Sequence, residues 1–212
     1  MRPILFTAMF AGVLSMGIDA ADATPSICDS VAGNLVQNCG FEAGGGSIDD
    51  WTAFGHAAVT TDANSGNYAA DLSAHGTGEH PDAAVALVSN TFDLNLGENY
   101  TVSFYVEGIT LSGHSPDFGV ELDDSNGNAI GSWYTATTAG YTDWTRVTFD
   151  VTGNGDPGDS IGVSGGSILG SVNWLADDFV VAPQQVPEPG TLALFGAALL
   201  ALGGLGLRRR SV

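Results

Sequence analysis

The chain has 212 residues, with 24 acidic against 5 basic side chains, a formal net charge of −19 and no lysine. Such a charge excludes nucleic acid as a partner, because that binding depends on neutralisation of phosphates by Lys and Arg. Glycine, threonine, serine and valine are abundant and the long helix formers are few, so the composition favours strands over helices.

The first 23 residues have the three parts of a secretory signal peptide. Arg2 precedes an apolar run at residues 4–18, and a small-x-small site ends at Ala23. The run is too short to span a bilayer comfortably, which takes about 20 residues. We therefore expect residues 1–23 to be a signal peptide cleaved after Ala23, with Ala20 and Ala21 as alternative sites, and the chain to be exported.

Two cysteines, Cys28 and Cys39, follow the predicted signal. In an exported protein a pair of cysteines is normally a disulfide. Closing so short a loop stabilises the fold by about 3 kcal/mol through loop-closure entropy. Free thiols and a metal-binding pair are the alternatives, and a disulfide is our prediction.

The central region, residues 24–185, is predicted to be all-β. Its clearest strand is at residues 100–107, where Val102, Phe104 and Val106 alternate with polar residues. The same alternation occurs at 118–123 and 144–152. Weaker strand patterns occur at 34–38, 57–61, 68–72, 84–92, 160–163 and 176–181. Turn signals separate these runs, which predicts a two-sheet antiparallel β-sandwich.

The C-terminal segment, residues 186–212, has three parts in order. The tripeptide Pro187-Glu188-Pro189 precedes an uncharged apolar stretch, and Arg208-Arg209-Arg210 follows that stretch. The stretch is near the minimum length for a transmembrane helix, which we predict at about residues 190–207. Arginines directly after the helix stay cytoplasmic, so the rest of the chain would lie outside. A plain, unprocessed tail anchor is the alternative.

These three parts resemble the PEP-CTERM sorting signal over residues 186–212. The resemblance implies that an integral-membrane transpeptidase, an exosortase, recognises the tail and removes it. It also implies a route through an inner-membrane intermediate, attached by the C-terminal helix, to the cell surface or the extracellular space.

The central region resembles the galactose-binding-like jelly rolls, a group that includes carbohydrate-binding modules of secreted glycosidases. The matching segments are NLVQNCGFE at 34–42 followed by Trp51, SGNYA at 65–69, YTVSFYVEG at 100–108, WTRVTF at 144–149 and ADDFVV at 176–181. The resemblance implies a jelly-roll sandwich over nearly the whole domain. Cys39 departs from the group, which more often has glycine there, and the nearby Cys28 accounts for the difference.

In the jelly-roll group a structural calcium ion often ties the start of the domain to its last strand. The resemblance implies Glu42 and Asp177 as calcium ligands, with Asp178 as a weaker candidate and a carbonyl of the 65–67 turn as a further ligand. Carboxylate and carbonyl oxygens are the ligands that Ca²⁺ requires. The alternative is that these acids are simply solvated, as most of the others are.

Sugar rings stack on aromatic side chains and are read by polar ones. The candidate aromatic platform is Trp133, Tyr134 and Tyr141, in a stretch rich in turn residues. For Trp133, packing in the core is an equally good interpretation.

Catalytic motifs are absent from the sequence, which has no G-x-S-x-G, no H-E-x-x-H and no phosphate-binding loop. Glycoside hydrolysis needs a pair of carboxylates, but pairs are expected by chance in so acidic a chain and do not indicate this activity. We therefore predict a non-catalytic protein that binds extracellular polysaccharide or is embedded in it. A structural or adhesive surface protein that binds other proteins is the alternative, followed by a small glycan-active hydrolase.

Overall fold

The computed structural model describes residues 25–75 and 82–184. The predicted signal peptide and the predicted sorting tail, including the helix at 190–207, lie outside the described residues. Within them, no helix is both long and apolar enough to cross a membrane. The only helices there are two short 3₁₀ segments, Ile27–Ser30 and Ala43–Gly45.

The described residues form nine strands. They are β1 (Trp51–Phe54), β2 (Ala58–Thr60), β3 (Ala69–Asp71), β4 (Ala74–His75), β5 (Asp82–Ser89), β6 (Asn99–Asp123), β7 (Ala129–Thr135), β8 (Thr145–Thr152) and β9 (Ser160–Pro183).

Two antiparallel five-stranded sheets form a sandwich, and the long strands β6 and β9 run through both. Sheet I has the order β8-β6-β9-β3-β2 and uses the first half of β6 with the second half of β9. Sheet II has the order β7-β6-β9-β5-β1 and uses the other two halves. The register between β6 and β9 is irregular from Thr110 to Pro116, where they pass between the sheets. The predicted two-sheet antiparallel sandwich is therefore confirmed.

The core lies between the facing sides of the two sheets and follows the alternation of β6. Its fully buried residues on that strand are Val102, Phe104, Val106, Phe118, Val120 and Leu122. The ring of Phe104 in sheet I lies 6.2 Å from that of Phe118 in sheet II, and Phe118 lies 5.1 Å from Trp174. Burial of these aromatic side chains is the main force that holds the sheets together.

Residues 34–38 do not form the predicted strand. The side chain of Asn34 bonds to the backbone of β9 where a paired strand would use its own backbone. Its amide donates to the Phe179 carbonyl at 3.1 Å, and its oxygen accepts the Val181 N–H at 3.0 Å. Side-chain bonding of this kind competes with regular strand pairing. The segment follows β9 as a turn-rich strap instead.

Strand β7 is a second difference, because Trp133 and Tyr134 lie on a regular strand and not in turns. Gly131 and Ser132 weaken its strand pattern in the sequence. β1 and β4 were not predicted either, since they have only four and two residues. Pairing with β5 and β9 makes strands of such short segments.

The predicted disulfide between Cys28 and Cys39 is present, with the two Cα atoms 6.1 Å apart. It closes a loop within residues 26–41, here called the opening segment. The Leu35 N–H donates to the Val181 carbonyl at 2.9 Å, and the Phe179 N–H donates to the Cys39 carbonyl at 3.0 Å. The opening segment is therefore held along the last part of β9.

Candidate functional site

The outward face of sheet II carries one row of residues that crosses all five of its strands. The register pairs Phe54 with Ala86, Ala86 with Ser164, Ser164 with Gly119, and Gly119 with Tyr134. Neighbouring strands lie about 4.8 Å apart, so the row is about 19 Å long. We call this row the groove.

Aromatic rings stand at both ends of the groove and small residues form its floor. Phe54 is 55% exposed and Tyr134 is 62% exposed. A Cβ atom on Gly119 would lie 3.4 Å from the Ser164 hydroxyl and 3.4 Å from a ring carbon of Tyr134. The Tyr134 ring therefore lies over Gly119, which is buried, whereas Ser164 is exposed and Ala86 is half-buried.

Acidic side chains line the groove along β6. Asp117, Glu121 and Asp123 alternate with buried residues and so share the outward face with Gly119. A hydrogen bond to the Asp117 carboxylate, with partial burial as a second cause, raises the pKa of Tyr134. Burial and the charges of Glu121 and Asp124 raise the pKa of Asp123. These oxygens are acceptors for hydroxyl groups, and Asp117 also holds the Tyr134 ring in place.

The three aromatic residues predicted to bind a ligand do not form one platform. Trp133 faces inward, with its ring 5.6 Å from Phe104 and 5.5 Å from Tyr141. Tyr134, its neighbour in a strand, faces outward into the groove. Phe54 was not predicted as a site residue, because β1 is too short to show the alternation that would have indicated its direction.

The residues predicted to bind calcium meet at one turn, residues 64–68. Asp177 is completely buried, and its carboxylate accepts the N–H groups of Asn64 at 3.0 Å and Ser65 at 3.2 Å. Asp178 is 2% exposed and accepts the Ser65 hydroxyl and the Asn64 side-chain amide, each at 2.8 Å. Both carboxylates of β9 therefore hold the same turn.

Glu42 approaches this turn from the other side. Its carboxylate accepts the N–H groups of Asn67 at 2.6 Å and Tyr68 at 2.8 Å. In the part of the chain that the structure describes, Glu42, Asp177 and Asp178 do not form a tight three-ligand group. The close group found there is Cys28, Asp29 and Cys39, whose two cysteines are joined in the disulfide.

Asp177 and Asp178 are buried together because the last part of β9 is covered on both faces. Every residue from 174 to 182 is buried, with the core on one side and the opening segment on the other. The β6–β9 register also shifts at this point, and Asp178 has a φ of 55°, in the left-handed region that residues other than glycine rarely adopt. Burial, and then the charge of Asp178, raises the pKa of Asp177 to about 8.

Comparison with known proteins identifies the family to which this domain belongs. The sequence profile of the carbohydrate binding domain family matches residues 33–161, more than half of the chain, and the chain belongs to this family. The profile of the PEP-CTERM protein-sorting motif matches residues 185–210. The motif identifies the protein as exported, to the cell surface or the extracellular space.

Several solved structures share the fold. A carbohydrate-binding module, TmCBM61, in complex with β-1,4-galactotriose has a TM-score of 0.55 and 21% identity, over 71% of this chain and 99% of the module. An arabinose-bound α-L-arabinofuranosidase, MgGH51, has a TM-score of 0.53 and 18% identity, over 73% of this chain and 27% of the enzyme.

The enzymatically active domain of tailspike protein 4 of bacteriophage CBA120 has a TM-score of 0.52 and 17% identity, over 71% of this chain and 21% of that chain. This chain thus spans only about a quarter of the two enzymes. At these identities the likeness shows the fold alone. No curated protein matches the sequence.

Proposed function

We propose that this exported protein is a non-catalytic polysaccharide-binding protein and that the groove on sheet II is its binding face. The observation that carries the proposal is the row from Phe54 to Tyr134, with exposed rings at its ends and small residues between them. A sugar chain lying across the strands would stack on both rings. The carboxylates of Asp117 and Glu121 would accept hydrogen bonds from its hydroxyl groups.

A glycan array with the purified protein tests the function, and soluble polysaccharides from the positive spots then give affinities. Phe54→Ala and Tyr134→Ala should each weaken binding by about tenfold, equivalent to about 1.4 kcal/mol. Leu96→Ala is the matched control, because Leu96 is 80% exposed but lies in a loop outside the groove. Binding that survives both ring substitutions would place the ligand elsewhere. Binding to matrix proteins and to no glycan would favour the adhesive alternative.

The proposal includes a structural calcium ion held by Glu42 and Asp177, with Asp178 nearby. Two adjacent buried carboxylates on β9 and a third on the far side of the same turn supply hard oxygen ligands. Hydrogen bonds from the 64–68 turn offset part of the cost of burying them. A bound cation would neutralise the remaining charge and clasp the start of the domain to its last strand.

The proposal also includes processing of the C-terminal tail by an exosortase. The sorting motif covers Pro187-Glu188-Pro189 and the arginine cluster Arg208-Arg209-Arg210. In this route the apolar stretch at about 190–207 anchors the chain in the inner membrane until the domain at residues 24–185 is released. Intact-mass measurement of the extracellular form should show loss of the arginine cluster. Its recovery in the mature product would contradict the proposal.

A further inference from the structure

The disulfide joins two stretches of chain that bond to consecutive residues of β9. The Cys28 N–H donates to the Asp178 carboxylate at 3.3 Å, and the Phe179 N–H donates to the Cys39 carbonyl at 3.0 Å. The Ser26 hydroxyl lies 2.9 Å from the Cys28 sulfur and also donates to the Asp178 carboxylate. Of these two donors to Asp178, the Cys28 N–H therefore belongs to the covalently closed loop, and the Ser26 hydroxyl lies two residues before it.

The opening segment closes tightly over these carboxylates. A Cβ atom on residue 40 would lie 2.2 Å from the Ser26 hydroxyl and 3.6 Å from an Asp177 oxygen, so Gly40 makes the space in which Ser26 sits. Cys28 is 1% exposed and Cys39 is 3% exposed. A thiol reagent or an oxidant therefore reaches the sulfur atoms only when the opening segment is lifted from β9.

We propose that oxidation of Cys28 and Cys39 completes the carboxylate site of Asp177 and Asp178, so that the site reaches its final form only after export. The two thiols lose two electrons and two protons as the S–S bond forms. A disulfide-bearing oxidant of the thiol–disulfide exchange class accepts them and becomes a dithiol. The cytoplasm keeps thiols reduced, so the step belongs to the exported chain.

The coupling between the disulfide and the hydrogen bonds to Asp178 has a simple physical basis. Without the disulfide, the opening segment must be ordered over β9 at a larger cost in chain entropy. When it is lifted, Asp178 loses the Ser26 and Cys28 donors and keeps those of Asn64 and Ser65, and the loss of two hydrogen bonds to a carboxylate costs free energy. Because coupling free energies are reciprocal, Asp178 must stabilise the closed disulfide as much as the disulfide stabilises the bonds to Asp178.

A comparison of two buried aspartates in oxidised and reduced protein tests this proposal. The free energy of unfolding in urea is measured for wild type, Asp178→Asn and Asp159→Asn in both redox states. Asp159 is the matched control, because it is equally buried but accepts bonds from Leu94 and Asn154. Asp178→Asn raises the equilibrium constant of unfolding by some factor in the oxidised protein. We expect that factor to be about tenfold smaller in the reduced protein. The effect of Asp159→Asn should not change, and equal effects of Asp178→Asn in both states would overturn the proposal.

A second measurement does not require the reduced protein to fold. The rate at which dithiothreitol reduces the native, oxidised protein reports how often the opening segment lifts. Ser26→Ala and Asp178→Asn should each raise that rate by about tenfold, whereas Asp159→Asn should leave it unchanged. Wild-type rates for both Ser26→Ala and Asp178→Asn would overturn the proposal.

Discussion

Asp177 shows how the surroundings of one residue change its chemistry. It lies beside another carboxylate inside the protein, and its hydrogen-bond donors are the backbone N–H groups of Asn64, Ser65 and Asp178. Burial has the largest effect and raises its pKa from 3.8 to about 8, with the charge of Asp178 as the second cause. At neutral pH and without a cation, this carboxyl group therefore holds a proton in the folded protein.

The pKa of Asp177 predicts how stability changes with pH in EDTA. The folded state keeps the proton up to about pH 8, whereas the unfolded chain releases it near 3.8. The contribution of this proton to the free energy of unfolding is therefore complete below about pH 4 and is lost as the pH rises to about 8. The free energy of unfolding of Asp177→Asn, measured in urea across this pH window, should not show that fall. The exposed Asp49→Asn should keep the wild-type slope, and parallel curves for wild type and Asp177→Asn would contradict the assignment.

Substitution of Trp133 should lower stability, whereas substitution of its neighbour Tyr134 should weaken binding with little effect on stability. Trp133 packs between the sheets against Phe104 and Phe118, so Trp133→Ala should destabilise the fold by about 3 kcal/mol. Tyr134 is mostly exposed, and Tyr134→Ala should change stability by about 0.5 kcal/mol or less. Urea denaturation measures both. A large loss of stability for Tyr134→Ala would mean that its weaker binding reflects unfolding and not a lost contact.

At the scale of the elements, β6 and β9 decide the architecture, because each belongs to both sheets. Their inner residues form the core, their outer residues in sheet II form the middle of the groove, and the last part of β9 contributes the buried carboxylates Asp177 and Asp178. Glycines on β6 mark the places where other groups approach the strand closely. Gly108 lies beneath the Trp174 ring, whereas the contacts of Gly119 with Ser164 and Tyr134 in the groove are looser.

These two glycines on β6 should respond differently to the same substitution. A Cβ atom on Gly108 would lie 2.1 Å from a ring carbon of the fully buried Trp174, so Gly108→Ala should cost about 2 kcal/mol through overpacking. On Gly119 the nearest atoms would be 3.4 Å away, and Gly119→Ala should be close to neutral. Thermal and urea unfolding measure the difference. Equal losses for the two variants would contradict the packing around Trp174.

At the scale of the whole molecule, the excess of negative charge governs which partners are favoured. The chain carries a net charge of −19, and Arg146 is the only lysine or arginine between residues 24 and 185. Arg146 lies on β8 in sheet I, where its guanidinium donates to the Ser103 hydroxyl at 3.2 Å. The groove on sheet II therefore has acids and no lysine or arginine, which favours neutral sugars over polyanions and favours divalent cations elsewhere on the surface.

Calcium should stabilise the folded protein specifically if it binds between Glu42 and Asp177. At a hundredfold excess over Kd, an ion bound only by the folded state adds about 2.7 kcal/mol. The melting temperature should therefore rise in calcium relative to EDTA, and Glu42→Gln and Asp177→Asn should each abolish the rise. Magnesium is the control, because it screens charge equally well but keeps its waters. Equal shifts with both metals would contradict a calcium-specific site.

The features of this protein that the sequence by itself determined are local ones, which depend on residues close together in the chain. The alternation at residues 100–107 and 118–123 shows which side chains of β6 are buried, because side-chain direction in a strand depends only on neighbouring residues. The pair Cys28 and Cys39 indicates a disulfide, and the PEP motif with its arginine cluster indicates the sorting tail. These features are readable without knowledge of any distant contact.

Only the tertiary structure decided the sites. The groove requires residues from five strands, from Phe54 to Tyr134, to be in register, and register between distant strands is not encoded in any one of them. Asp177 and Asp178 are buried together because the core covers one face of β9 and the opening segment, more than 130 residues earlier in the chain, covers the other. Trp133 and Tyr134 take opposite roles for the same reason: the partner strands of β7 determine which of its faces meets the core.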